Sequence, residues 1–164
     1  DTSVNEYPSS EQLAEIAVSS ARVVRLFGFD PKVAFVSHST FGQPLTQRTK
    51  HIQDAVEILK KKNVDFEFDG DMQPDVALNK EYQNLYPFSK IVGNANILIM
   101  PGQHSAAISY KLMKSLGDTK VIGPLLIGLG LPIEIVPLRS STSEIINLAS
   151  IAAYSADIID YQKN

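Results

Sequence analysis

Three histidines, a cluster of hydroxyls and one dense acidic stretch are the side chains here whose types could do chemistry. Ser37-His38-Ser39-Thr40-Phe41-Gly42 forms a polar loop directly after the apolar run Val33 to Val36. Gly102-Gln103-His104-Ser105 follows the apolar run that ends at Met100, and Gly123-Pro124 follows Ile122. In an open α/β sheet, ligands collect at the carboxyl ends of the strands. Hydroxyls and backbone N–H groups at such loops suit an anion such as phosphate. The same Ser and Thr types also cap ordinary turns, and the residues alone leave both readings open. His38 and His104 lie on strand-end loops and could converge as a general-base pair, although loop histidines are common. His51 falls inside a helical stretch and is expected at the surface.

Asp65, Glu67, Asp69 and Asp71 are the dense acidic group. Alternation along a strand puts the first three on one face, where a divalent ion could bind. They lack the twelve-residue calcium-loop pattern, so a solvated strand face is the expectation and no metal site is assigned. There is no phosphate-cradling G-x-x-x-x-G-K-[ST], no dinucleotide G-x-G-x-x-G and no nucleophile elbow. With no cysteine in the chain, disulfides, thiolate nucleophiles and thiolate metal ligands are excluded together.

The elements that must position these loops alternate along the chain. Ser9 with Gln12 predicts a capped helix start, with Leu13, Ile16, Ala17, Ala21 and Val24 at helical spacing before Gly28. A strand over Val33–Val36 comes next, then a helix from about Thr49 to Lys61, whose basic end Lys60-Lys61-Lys62 complements the helix dipole. Val64–Phe68 alternates as a half-covered strand, and Asp69-Gly70 and Pro74 turn the chain into a short helix near Val76. Asn96–Met100 reads as the clearest buried strand, and Ser105–Leu116 as a helix. Lys120–Ile122 and Ile133–Val136 read as the last strands, and Ser141 with Glu144 as a capping box opening a helix through Ile159. Single helices between strands imply parallel crossovers, hence an α/β fold with the sheet covered on both faces.

The 164 residues suit one domain. Residues 1–8 read as a loose N-terminal segment and 9–164 as the domain proper. Fifteen basic against eighteen acidic residues leave a net charge of −3, which argues against nucleic-acid backbone as a partner. No apolar run reaches the ~20 residues of a membrane-spanning helix; the best, Ile122 to Leu131, is broken by glycine and proline and reads as a buried strand and loop. The start has neither a basic nor an apolar leader region and no initiator methionine. A cytoplasmic segment of a longer protein is the expectation.

Five ordered blocks go further. VAFVSHSTFG, FEFDGDMQPDVALN, NILIMPGQHSAAISYKLMKSLG, VIGPLLIGLGLPIEIV and SSTSEIINLASIAAY resemble the C-terminal half of a phosphate acetyl/butyryl transferase module. VDFEFDGDMQPDVALN, NLYPFSK and MPGQHSAAIS look most like the version fused to the end of bacterial hybrid malic enzymes. The resemblance covers the chain from about Ser9 onward. It implies a three-layer α/β/α architecture with a mostly parallel sheet, of the isocitrate/isopropylmalate dehydrogenase-like kind.

The departures carry as much as the matches. Active members resemble N-D-L-S-R-G after the last strand, followed by an Asp on the final helix. Here Pro137 stands in place of the serine and Leu138 in place of the arginine, with Arg139 one place late and Glu144 on the helix. Ala106-Ala107 and Ile127 replace further polar positions. Phosphate–CoA exchange at an acyl carbonyl needs a cation for the dianion and donors for the oxyanion, and leucine cannot imitate a bidentate arginine. No catalytic residue is therefore assigned, and acyl transfer is not expected. Ser37, Ser39, Thr40, His104, Tyr110, Lys111, Gly123, Pro124, Leu138 and Glu144 remain as the implied acyl-CoA or effector site. The resemblance implies a regulatory domain that senses acetyl-CoA and self-associates. Ile145 to Ile159 offers the packing surface, and an upstream malic enzyme domain would use NADP and Mg2+ or Mn2+. The alternative is an active phosphate acetyl/butyryl transferase; a third is a dimerisation module that binds nothing.

Overall fold

The computed structural model describes residues 1, 3–117 and 120–161, with side-chain surroundings through residue 157. The chain divides into two compact units, Asp1–Tyr110 and Lys111–Asn164.

The first unit holds α1 (Ser10–Leu26), β1 (Lys32–Val36), α2 (Gln47–Lys62), β2 (Glu67–Met72), α3 (Pro74–Leu78), α4 (Lys80–Gln83), β3 (Ile97–Ile99) and the start of α5 (Gln103–Leu116). The predicted capping box opens α1: Gln12 N donates to Ser9 Oγ at 3.2 Å and Ser9 N to Gln12 Oε1 at 2.8 Å. Thr46 and Thr49 cap α2 in the same reciprocal way. The helix ends on three lysines and a left-handed Asn63 (φ 49°, ψ 51°).

All three strands are parallel, in the order β2-β1-β3. Strand alternation sends Val33, Phe35, Ile97 and Ile99 to one face, where Leu13, Ala17, Ala21, Ile52, Val56 and Leu59 of α1 and α2 bury them. Ala34 and Met72 face the other way, against Val76, Ala77, Ile91 and Ala95. Helices therefore cover both faces of an open parallel sheet, the α/β class that alternation of the elements implied.

Strand β2 is shifted from the expected Val64–Phe68: residues 64–66 precede it and it runs on to Met72. The stretch Asp69-Gly70 reads as a turn but continues the ladder, because Gly70 lets two backbones approach closely. A Cβ at Gly70 would lie 2.7 Å from Phe35 Cβ and 2.8 Å from the Phe35 carbonyl oxygen, and the residue sits at φ 151°. The register then skips: Phe35 pairs with Gly70 but Val36 with Met72, leaving Asp71 as the extra residue.

The second unit contains the rest of α5, an irregular stretch and α6 (Thr142–Tyr161). The strands expected at Lys120–Ile122 and Ile133–Val136 are not formed, and the stretch Ile122 to Leu131 is not a buried strand. Among the described residues, no strand pairs with 120–137. The three prolines and three glycines there remove donors and stiffness that a ladder needs. Ile122, Leu131, Ile133 and Ile135 are exposed. The capping box at α6 is present, with Ser141 N donating to Glu144 Oε2 at 2.8 Å and Glu144 N to Ser141 Oγ at 3.3 Å. Of the apolar surface expected from Ile145 to Ile159, the side chains at 158 and 159 lie outside the described residues.

Candidate functional site

The loop after β1 is stitched to the end of β2. Ser37 N extends the ladder to the Met72 carbonyl at 2.9 Å, and Phe41 N donates to the Asp71 carbonyl at 2.6 Å. Thr40 and Gln43 exchange backbone bonds at 3.3 and 3.1 Å, which closes a tight turn. Gln73 secures the outer side, its Nε2 donating to the His38 carbonyl at 2.9 Å and its N–H to Thr40 Oγ1 at 3.2 Å.

At the centre lies Asp71, fully buried. Its Oδ1 accepts from Gly42 N and from Gln53 Nε2 of α2, each at 3.0 Å. Its Oδ2 accepts from Ser39 Oγ, which also lies 3.3 Å from Ser37 Oγ. Gly42 has φ 77°, and a Cβ there would come within 2.7 Å of Gln53 Nε2. Only glycine lets the amide of Gln53 reach past it. Phe41 is held in the left-handed region at φ 49°, which costs a non-glycine residue about 1–2 kcal/mol. Its ring packs against Phe88 and Tyr86, with centroids 4.8 and 5.5 Å away.

Ser37, Ser39 and Thr40 are thus brought together, with their side chains buried and bonded inward. His38 is the member of this loop whose side chain is exposed, together with Gln43 at its end. His104 is exposed at the start of α5 and Tyr110 half-buried farther along it. No hydrogen bond links His38 and His104 among the described residues. Lys111, Gly123, Pro124, Leu138 and Glu144 belong to the second unit; Lys111 and Leu138 are exposed, the other three half-buried. Glu144 pairs with Lys114 at 2.7 Å. That bond first, and the Ser141 N–H and hydroxyl next, hold its carboxyl down to about 2.

Two sequence readings need correction. The acidic stretch is not a solvated face: Asp69 is buried with its Oδ2 accepting from Lys90 N at 2.8 Å, and Asp71 is wholly enclosed. Only Asp65 and Glu67 behave as expected of partly exposed carboxylates, pairing with Arg25 at 3.0 Å and Lys32 at 3.8 Å. His51 is half-buried rather than superficial, with Nδ1 2.9 Å from Ser10 Oγ and Nε2 2.9 Å from the Pro8 carbonyl. Asp71, Gln53 and Gln73 were missed as site residues. The one available signal was Gly70 between two acids, a hint of close strand approach. A surface groove lined by Val64, Asp65, Phe66, Glu67, Phe68 and Lys90 shares no residue with this site.

The sequence profile of the phosphate acetyl/butaryl transferase family matches residues 1–153. The chain belongs to this family. An NADP-dependent malic enzyme of Rhizobium meliloti is 46% identical over 95% of the chain, which spans 20% of that protein. A phosphate acetyltransferase of Bacillus subtilis is 35% identical over 95% of the chain, spanning 49% of that protein. Among solved structures, a phosphotransacetylase from Streptococcus pyogenes superposes with a TM-score of 0.90 at 36% identity, over 95% of this chain and 48% of that one. This transferase-family chain therefore spans about half the length of the acetyltransferases it matches and about a fifth of the malic enzyme. Among the described residues no helix is long and apolar enough to cross a membrane.

Proposed function

We propose that this chain is the acetyl-CoA-sensing, self-associating regulatory segment of a cytoplasmic NADP-dependent malic enzyme, and that it does not itself transfer acyl groups. The observation that carries the reading is the higher identity to a malic enzyme, 46%, than to the acetyltransferase, 35%, over the same share of the chain. The residue chemistry supports it: Pro137 and Leu138 stand where a transferase of this family would carry a serine and a permanently charged arginine. Neither can hold a phosphate dianion. The parent activity in this reading is oxidative decarboxylation of malate to pyruvate, with NADP and Mg2+ or Mn2+ bound in a separate catalytic domain. Acetyl-CoA binding at the transferase-like cleft would favour one arrangement of the assembly and so alter turnover at that distant site.

A second reading, an active phosphate acetyl/butyryl transferase, is favoured by the relatives named phosphate acetyltransferase. An acetyl-phosphate and CoA exchange assay on the full-length protein separates the two, since turnover near the ordinary enzymatic range of roughly 1–10³ s⁻¹ would establish the transferase. For the regulatory reading the probe is Lys111, an exposed cation on α5, suited to the phosphates of CoA. Malate-dependent reduction of NADP is measured against acetyl-CoA concentration, at saturating malate and NADP, for wild type and Lys111→Glu. Inhibition is expected to weaken by roughly 5–150-fold, the usual size of coupling between sites. Identical curves would remove Lys111 from the effector site, and an uninhibited wild type would end the sensor reading.

A further inference from the structure

A fully buried carboxylate normally sits beside a cation, yet none of the ion pairs among the described residues includes Asp71. Its three side-chain contacts are all donors: the Ser39 hydroxyl, the Gly42 N–H and the Gln53 amide. A hydroxyl, a backbone N–H and a side-chain amide converging on two oxygens is a set that would hold a free carboxylate or phosphate. Here the chain supplies that anion itself. The sheet does not call for the residue, because the ladder passes from Gly70 to Met72 and leaves Asp71 out. Extra residues in strands recur beside functional sites, where they re-aim a side chain.

We propose that Asp71 is a positioning residue: it acts as the built-in anion of the loop after β1, fixing residues 39–42 so that His38 and Gln43 are presented to an effector. The inference deepens the acetyl-CoA-sensing reading and rests on it for its ligand. It also assigns the loop hydroxyls a different task from ligand contact, since Ser39 is spent on Asp71.

The experiment uses the full-length protein and three variants. Asp71→Ala removes a carboxylate and leaves its donors in place; formate carries the lost atoms and is the rescue probe, with chloride at equal ionic strength as control. Asp71→Asn keeps one acceptor oxygen for Gly42 and Gln53, and its amide can donate to Ser39. Gln53→Ala removes a single donor from the half-buried face of α2 and keeps the question open where Asp71→Ala does not fold. Two quantities are read: amide hydrogen exchange at Gly42 and calorimetric affinity for acetyl-CoA. Asp71→Ala is expected to speed exchange and weaken acetyl-CoA about tenfold, the scale of one hydrogen bond to a charged group. Formate should restore both, and Asp71→Asn, which keeps an acceptor but not the charge, should fall between wild type and Asp71→Ala, as should Gln53→Ala. Unchanged exchange in Asp71→Ala and Gln53→Ala, or faster exchange with undiminished affinity, would overturn the positioning role. A wild type that does not bind acetyl-CoA would overturn the effector reading instead, while exchange and formate rescue would still decide whether Asp71 holds the loop.

Discussion

Glu144 shows how much one half-buried carboxylate can be constrained by its neighbours. It closes the capping box of α6 and meets Lys114 of α5 at 2.7 Å. The Lys114 contact comes first, then the Ser141 N–H and hydroxyl, and together they bring its pKa from 4.5 to about 2. A carboxyl depressed on folding contributes stability that is fully present above the unfolded value and disappears as pH falls through the folded one. The tether between α5 and α6 should therefore be intact above about pH 4.5 and release toward pH 2. An NMR titration of the Glu144 side-chain carbon should give a midpoint near 2 in the wild type. In Lys114→Met the midpoint should move up toward the ordinary glutamate range, and an unmoved midpoint would show that the lysine is not the cause. At this scale the sequence was partly legible. The Ser141–Glu144 spacing announced the cap outright, because both partners lie within one turn. The partner from α5 was not announced, because it comes from 30 residues away.

Among the elements, the junction of β1 and β2 leaves no room for a side chain at one position. Gly70 sits where any side chain would enter the backbone of Phe35. Gly70→Ala should destabilise the protein by about 1–3 kcal/mol or more, from overpacking together with an unfavourable φ. Urea unfolding followed by circular dichroism reads this directly, and a midpoint equal to wild type would mean that the strands part at no cost. This junction also marks where sequence reading runs out. Local patterns placed α1, β1, α2, β3 and α5 to within a few residues, since caps and apolar periodicity are written in neighbours. The end of β2 was read as a turn because Asp69-Gly70 has turn composition, and its strand character depends on Phe35 of another element. Residues 120–137 failed in the opposite direction: they carry β-type residues, but a strand exists only where another strand pairs with it. The acidic stretch misled for a related reason. Composition shows neither the Lys90 N–H that Asp69 accepts from a distant segment nor the register skip that leaves Asp71 enclosed.

For the whole molecule, the contrast between the units carries the argument. The first unit buries a continuous core on both faces of its sheet. In the second, Leu112, Met113, Leu116, Leu131, Ile133, Leu138, Ile145 and Ile146 are all exposed. Large apolar side chains exposed in such number are a feature of surfaces that other chains cover. The chain is accordingly expected to self-associate, and sedimentation across micromolar concentrations should show a shift from monomer to larger species. A clean monomer throughout would count against self-association as part of the regulatory reading. The α/β class was legible from the order of elements, and the five sequence blocks brought out the family that the profile match establishes.

The skipped register has a consequence for how this strand tolerates change in length. Ala34 and Val36 face the same side of β1, and their partners Asp69 and Met72 are three positions apart where regular alternation would set them two apart. Loss of the single codon for residue 71 would leave Asp69, Gly70 and Met72 in ordinary alternation, with Met72 still facing Ala77 and Ile91. The sheet is thus one residue longer than its own geometry requires. A deletion, usually the harshest lesion inside a strand, would here repair the ladder and fall on the loop alone.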